Sequence, residues 1–158
     1  MQKNKVIAVD PGYDRVGIAI MHGSELLHSE CFSPDKDAHA IRLKMVFERV
    51  SALIKKYAPD ALAIETLFFS KNQKTAIKVA EARGVISIAA ALADCPVFEY
   101  SPQEVKLAVT GSGNAAKDAV IRMVERLVPL SKRKRLDDEY DAIALALAHQ
   151  AQSRFNPG

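Results

Sequence analysis

Residues 6–20 read VIAVDPGYDRVGIAI, and the fold is decided there. Val6 to Val9 form an apolar, β-branched run that stops at Asp10-Pro11-Gly12, and Val16 to Ile20 resume it, which predicts an antiparallel hairpin. His22-Gly23-Ser24 supplies a second turn, and Leu26 to Phe32 make a third strand before Ser33-Pro34-Asp35, so the chain opens as a meander. Next, Ile41, Met45, Val46, Val50, Leu53 and Ile54 recur three and four apart between Ala38 and Tyr57. That is an amphipathic helix lying on the sheet, with Arg42, Glu48 and Lys55 on its polar stripe.

Ala58-Pro59-Asp60 ends this helix, and Ala61 to Ile64 is a short, uniformly apolar strand that finishes in Glu65. Thr75 to Leu92 is a helix apolar nearly all round in its second half, which implies burial on two sides. Gly84 costs about 1 kcal/mol there relative to alanine, so close helix packing is expected at that point. Pro96 to Tyr100 is the last strand. Ser101, Pro102 and Glu104 supply a cap, a first-turn proline and a first-turn carboxylate for a helix to about Val109. A turn at 110–114 leads to a helix from Ala115 to Leu127, a basic connection follows, and an alanine-rich helix runs from Asp137 to about Ser153. The order βββαβαβααα predicts an α/β fold, a mixed five-stranded sheet with helices on both faces. With 158 residues and neither repeat nor linker, residues 1–158 read as a single domain.

A composition 49% hydrophobic and 26% charged excludes a disordered tail or a collagenous fibre. No run of about 18 apolar residues occurs and the first residues lack the apolar core of a signal peptide, so the expected location is the cytoplasm. Cys31 and Cys95 have neither zinc-site nor disulfide spacing and read as buried thiols. A net charge of +3 permits a polyanionic partner, provided folding gathers the scattered lysines and arginines.

The chemistry is in the acids. Asp10 and Glu65 each end an apolar strand, where an isolated buried carboxylate is costly. On the last helix Asp141 can share a face with either Asp137 or Asp138. Singly, these could cap a turn, pair with a lysine or satisfy a helix N-terminus. Together they would converge above one sheet edge as a hard oxygen donor set suited to Mg²⁺ or Mn²⁺. Two such ions, about 3.5–4 Å apart, suit phosphodiester hydrolysis.

Four segments in order, VIAVDPGYDRVGIAI, ALAIETLFFSKNQKTAIKVAEARGVISIAA, VFEYSPQEVKLAVTGSGNAAKDAV and DDEYDAIALALAH, resemble the RuvC family of Holliday junction resolvases. The resemblance implies an RNase H-like fold and a homodimer that nicks four-way DNA junctions symmetrically with Mg²⁺ or Mn²⁺, in cooperation with RuvA and RuvB. It makes Asp10, Glu65, Asp138 and Asp141 the catalytic, metal-binding carboxylates. It makes Phe68 an aromatic that stacks on an unpaired junction base, on a loop that also carries Lys71 and Lys74 as candidate DNA contacts. Lys106 and Lys117 match basic residues near the DNA backbone. The surplus apolar face of the Thr75–Leu92 helix is the expected dimer interface. His149 reads as a helix-face residue, not a ligand. The run Lys132 to Arg135 is more charged than the family pattern and stays open between phosphate contact and solvated surface. The competing readings are an RNase H-like nuclease acting on RNA or simple duplex DNA, and a non-catalytic junction-binding dimer. An actin-like ATPase needs two lobes and a longer chain.

Overall fold

The computed structural model describes residues 5–67 and 73–155. Its sheet contains β1 (Lys5–Asp10), β2 (Val16–His22), β3 (Glu25–Phe32), β4 (Ala61–Glu65) and β5 (Val97–Tyr100), in the order β3-β2-β1-β4-β5. The opening meander pairs antiparallel, with a register shift at Ile20/Met21, and β4 and β5 add in parallel beside β1. The helices are α1 (His39–Tyr57), α2 (Gln73–Leu92), α3 (Pro102–Thr110), α4 (Lys117–Leu127) and α5 (Asp137–Phe155). Among the described residues no helix is long and apolar enough to cross a membrane.

Because successive strand residues face opposite ways, the sheet feeds two cores. Ile7, Val9, Ile18, Ile20, Leu62 and Ile64 pack against α1 and α2. On the other face Ala8, Ala19 and Ala63 meet Ala142, Ala144, Ala146 and Ala148 of α5, with α3 and α4 beside it. Small residues on both surfaces bring α5 close to the strands, so whatever its first turn carries is set against the strand ends.

Local signals end the elements as the sequence predicts. Ser101 and Glu104 form a reciprocal capping box, Glu104 N–H to Ser101 Oγ at 3.1 Å and Ser101 N–H to Glu104 Oε2 at 2.6 Å. Ala58 closes α1 in the left-handed region at φ 47°, donating to the Ile54 carbonyl at 2.9 Å, and Pro59 follows.

Four expectations need correction. Gly84 is exposed and a Cβ there would meet nothing within 4 Å, so it serves no close packing inside the chain. Nor is α2 covered on two sides, for Ala82, Ile86, Ala89 and Ala90 are buried while Ile77, Ile88 and Leu92 are 57%, 51% and 72% exposed. Cys31 is only half-buried because β3 is an edge strand open along its length, whereas Cys95 is buried. Arg42 is buried rather than on a polar stripe, since two loops turn carbonyls toward it: Tyr13 O at 3.1 Å, Asp35 O at 3.3 Å and Pro34 O at 3.5 Å.

Candidate active site

The parallel register of β1 and β4 pairs Val9 with Ile64, so Asp10 and Glu65 follow side by side at the carboxyl ends of two central strands. Opposite Asp10, on β2, stands Gly17. A Cβ at Gly17 would overlap the carbonyl oxygen of Asp138, so the bare glycine lets the first turn of α5 descend onto the strand ends. Gly12 does the same for the loop, where a Cβ would overlap the Arg15 carbonyl. That loop is clamped by Arg42, and its Tyr13 ring lies 4.4 Å from Lys78 Nζ and 5.2 Å from the Arg42 guanidinium. Glu65 is braced from behind, Arg83 Nε donating to its carbonyl at 3.0 Å while Arg83 Nη2 pairs with Glu99 at 2.7 Å.

Asp10, Glu65 and Asp141 line one cleft of about 290 Å³ with Lys106 and Lys117, between apolar walls that include Val105 and Val120. Asp137 and Asp138 part company. Asp137 is largely exposed, 3.3 Å from Lys117 Nζ, whereas Asp138 turns inward and its charge is felt by Asp10. The structure thus sets Asp138 beside the other acids and Asp137 at the rim. Lys117 Nζ also lies 3.6 Å from Asp141. Among the described residues no three acidic, histidine or cysteine side chains already form a metal cage. An amine stands among the acids of α5 instead.

Burial, then repulsion from Glu65, Asp141 and Asp138, pushes the Asp10 carboxyl up to about 8, with Lys117 pulling the other way. Glu65 is pushed up to about 7 by burial and by Asp141, opposed by Lys106 and Lys117. Burial also raises Asp141, against the pull of Lys117. For Lys117, burial works against the ammonium, but Asp141 and Asp137 more than offset it and the pKa rises. Asp138 Oδ2 is buried and has no aligned hydrogen bond, although Arg15 Nε stands 3.1 Å away. Crowded carboxylates short of positive charge, all of them hard oxygen donors, fit a divalent cation such as Mg²⁺ or Mn²⁺.

The structure brings Asp10, Glu65, Asp138, Asp141, Lys106 and Lys117 to one end of the sheet. Lys74 is exposed at the start of α2, and Phe68 and Lys71 lie outside the described residues. His149 is buried and shares a 2.8 Å hydrogen bond with Tyr100 Oη, and burial lowers its pKa, as suits a neutral core imidazole. Sequence reasoning missed Arg15, Arg83 and Gly17. Only Gly17 left a signal, a glycine inside an apolar strand.

The pattern of the family described as crossover junction endodeoxyribonuclease RuvC matches residues 6–149. The chain is 42% identical over 156 residues to the crossover junction endodeoxyribonuclease RuvC of Thermosipho melanesiensis, covering 96% of this chain and 99% of that one. It is 41% identical over 155 residues to the protein of that name from Thermotoga maritima, covering 95% and 92%. Among solved structures, Thermus thermophilus RuvC in complex with a Holliday junction substrate superposes with a TM-score of 0.89 at 32% identity, over 96% of this chain and 95% of that one. The yeast mitochondrial Holliday junction resolvase Ydc2 superposes at 0.73 with 9% identity, over 96% and 81%, a likeness of fold. The fold is RNase H-like, as the resemblance implied.

Proposed function

This chain belongs to the RuvC family of crossover junction endodeoxyribonucleases, and from that premise we propose that it resolves four-way DNA junctions by paired symmetric nicks, with residues 1–158 acting as one nuclease domain in the cytoplasm. The observation that carries the reading is the pairing of Asp10 and Glu65 at adjacent parallel strand ends, under a helix whose first turns bring Asp138 and Asp141. These four carboxylates would hold two Mg²⁺ or Mn²⁺ ions. Bound there, the ions would lower the pKa of the attacking water and stabilise the leaving oxygen.

The side chains have distinct tasks. Asp10 and Glu65, held well above ordinary carboxylate pKa values, would be the residues whose ionised forms a bound cation favours. Lys106 and Lys117 flank the acids and offer ammonium groups to the scissile phosphate, without which a polyanion would be repelled from a cleft of carboxylates. Phe68, in the segment after Glu65, stacks on an unpaired base at the junction centre, an interaction worth about 1–3 kcal/mol. Lys71 and Lys74 add contacts to the DNA backbone.

Symmetry follows from α2. The exposed Ile77, Ile88 and Leu92 form an apolar face that a second copy would cover in a two-fold homodimer, setting two identical clefts against opposed strands. The dimer is expected to work with RuvA and RuvB. The deciding experiment is mass in solution together with cleavage of a four-way junction and its matched linear duplex. A dimer that nicks only the junction, symmetrically and only with divalent cation present, is the expected result. A monomer that cuts both equally would favour a nuclease of RNA or simple duplex, and a dimer that binds without cutting would favour a non-catalytic junction binder.

A further inference from the structure

The connection between α4 and α5 carries Lys132-Arg133-Lys134-Arg135, and its side chains divide by type. Both arginines reach Glu139, a carboxylate only 2% exposed on the first turns of α5, Arg133 from the surface with its side chain 45% exposed and Arg135 from within. Arg133 donates through Nη1 to Glu139 Oε2 at 3.1 Å, pairs closely through Nη2 with Oε1, and reaches the Ser29 carbonyl on β3 at 3.2 Å. Arg135, its side chain 4% exposed, stands 3.8 Å from Glu139 Oε1 and donates to the Ser131 carbonyl and hydroxyl, both at 3.0 Å. Ser29 Oγ completes the set with a 2.7 Å hydrogen bond to Glu139 Oε1. Lys132 and Lys134 are exposed, and neither has an ion-pair partner among the described residues.

Ion pairs around a buried carboxylate are a poor way to gain stability, since apolar residues of the same volume often do as well. What this one supplies is direction. It ties the connection at once to β3 and to the helix that bears Asp138 and Asp141, and so fixes which side chains of the run face out. Two guanidinia against one carboxylate leave a positive excess, to which the lysines add. Lys134 is four residues from Asp138, so their backbones are at most about 14 Å apart. A DNA strand carries one phosphate per roughly 3.4 Å of helix axis, so a strand lying in the cleft presents several phosphates within that span.

We propose that Lys132 and Lys134 form a contact for the sugar-phosphate backbone of the DNA entering the cleft, presented by the Arg133–Glu139–Arg135 clamp. The proposal rests on the junction-nuclease reading and extends its DNA surface to the connection between α4 and α5.

The test is equilibrium binding of a four-way junction, with Ca²⁺ replacing Mg²⁺, across a salt titration for three proteins. The Lys132→Gln/Lys134→Gln double variant should fall below wild type in affinity, with a plot of log affinity against log salt shallower by about 1.8, as two lost phosphate contacts require, and with an unchanged unfolding midpoint. Glu139→Gln separates presentation from charge. It makes the protein more positive, so simple electrostatics predicts tighter binding, whereas a loosened clamp predicts weaker binding. A double variant with the wild-type slope would overturn the contact, and tighter binding by Glu139→Gln would overturn the clamp. Wild-type binding that does not distinguish junction from duplex would overturn the parent reading instead.

Discussion

Asp10 destabilises the fold that holds it. Its carboxyl is buried beside Glu65, Asp141 and Asp138, and its pKa is raised from 3.8 to about 8. A carboxylate raised in the folded state leaves stability intact below its unfolded pKa and removes it progressively as pH climbs toward the folded one. In chelator, therefore, Asp10→Asn should be more stable than wild type by about 1–2 kcal/mol near neutral pH, even after most of the shift, worth about 1.36 kcal/mol per unit, is discounted for relaxation and solvent. The gap between the two proteins should widen from about pH 4 to pH 8 in thermal denaturation. The same variant should lose cleavage by at least about 100-fold, because one of the charges proposed to hold metal is gone while the basic surface remains. Gly17 makes a complementary case. Gly17→Ala drives a Cβ into the Asp138 carbonyl, a backbone atom that moves only if α5 moves. It should cost about 1–3 kcal/mol and reduce cleavage even at temperatures where circular dichroism shows the variant folded. Asp10 and Glu65 were legible because charged residues at the ends of apolar strands break a pattern, whereas Asp137 and Asp138 fit the α5 face equally well and only the resemblance chose between them. Arg15 and Arg83 were not, because their partners Asp138 and Glu65 are distant in sequence and nothing local marks the pairing.

Among the elements, α2 shows where pattern reading stops. Its apolar composition was plain, yet periodicity cannot tell a face covered by the chain's own core from one left for another molecule. The structure separates them: Val85 packs against the core, while Ile88 is half exposed. Ile88→Glu should therefore leave the unfolding midpoint nearly unchanged and weaken self-association by at least about 30-fold, or about 2 kcal/mol, in sedimentation equilibrium. Val85→Glu should instead damage the monomer. An Ile88→Glu protein with wild-type mass would remove α2 from the dimer interface. Arg42 and the Lys132–Arg135 run fail as pattern for a related reason. Arg42 read as part of a polar stripe and the run stayed open, and groups from other elements decide both: the loop carbonyls of Tyr13 and Pro34 bury Arg42, and Glu139 holds Arg133 and Arg135 while Lys132 and Lys134 stay exposed. The opening meander and the mixed sheet were more accessible, since their turns and α crossovers are marked locally in the sequence.

At the scale of the whole molecule, a chain of net charge +3 concentrates acid in one cleft and spreads basic residues around it. Divalent cations that bind the folded cleft and not the unfolded chain must raise its stability by mass action, by about 2.7 kcal/mol at a hundred times the dissociation constant. The rise in unfolding midpoint with added Mn²⁺ should vanish in Asp10→Asn. On the proposed reading, junction selectivity would belong to the dimer, because one cleft meets the same kind of phosphodiester in a junction arm as in a linear duplex. Two clefts related by a two-fold axis at a fixed spacing do meet different targets, since a junction and a linear duplex set their symmetry-related strands at different separations and directions. Ile88→Glu, with its basic surface intact, should bind linear duplex with wild-type salt dependence per protomer and lose the preference for junction over duplex at fixed salt. Competition of labelled junction against unlabelled duplex reads that ratio directly. A monomeric variant that keeps the full preference would place junction recognition within a single cleft, and the two-fold arrangement would then account only for the pairing of the nicks.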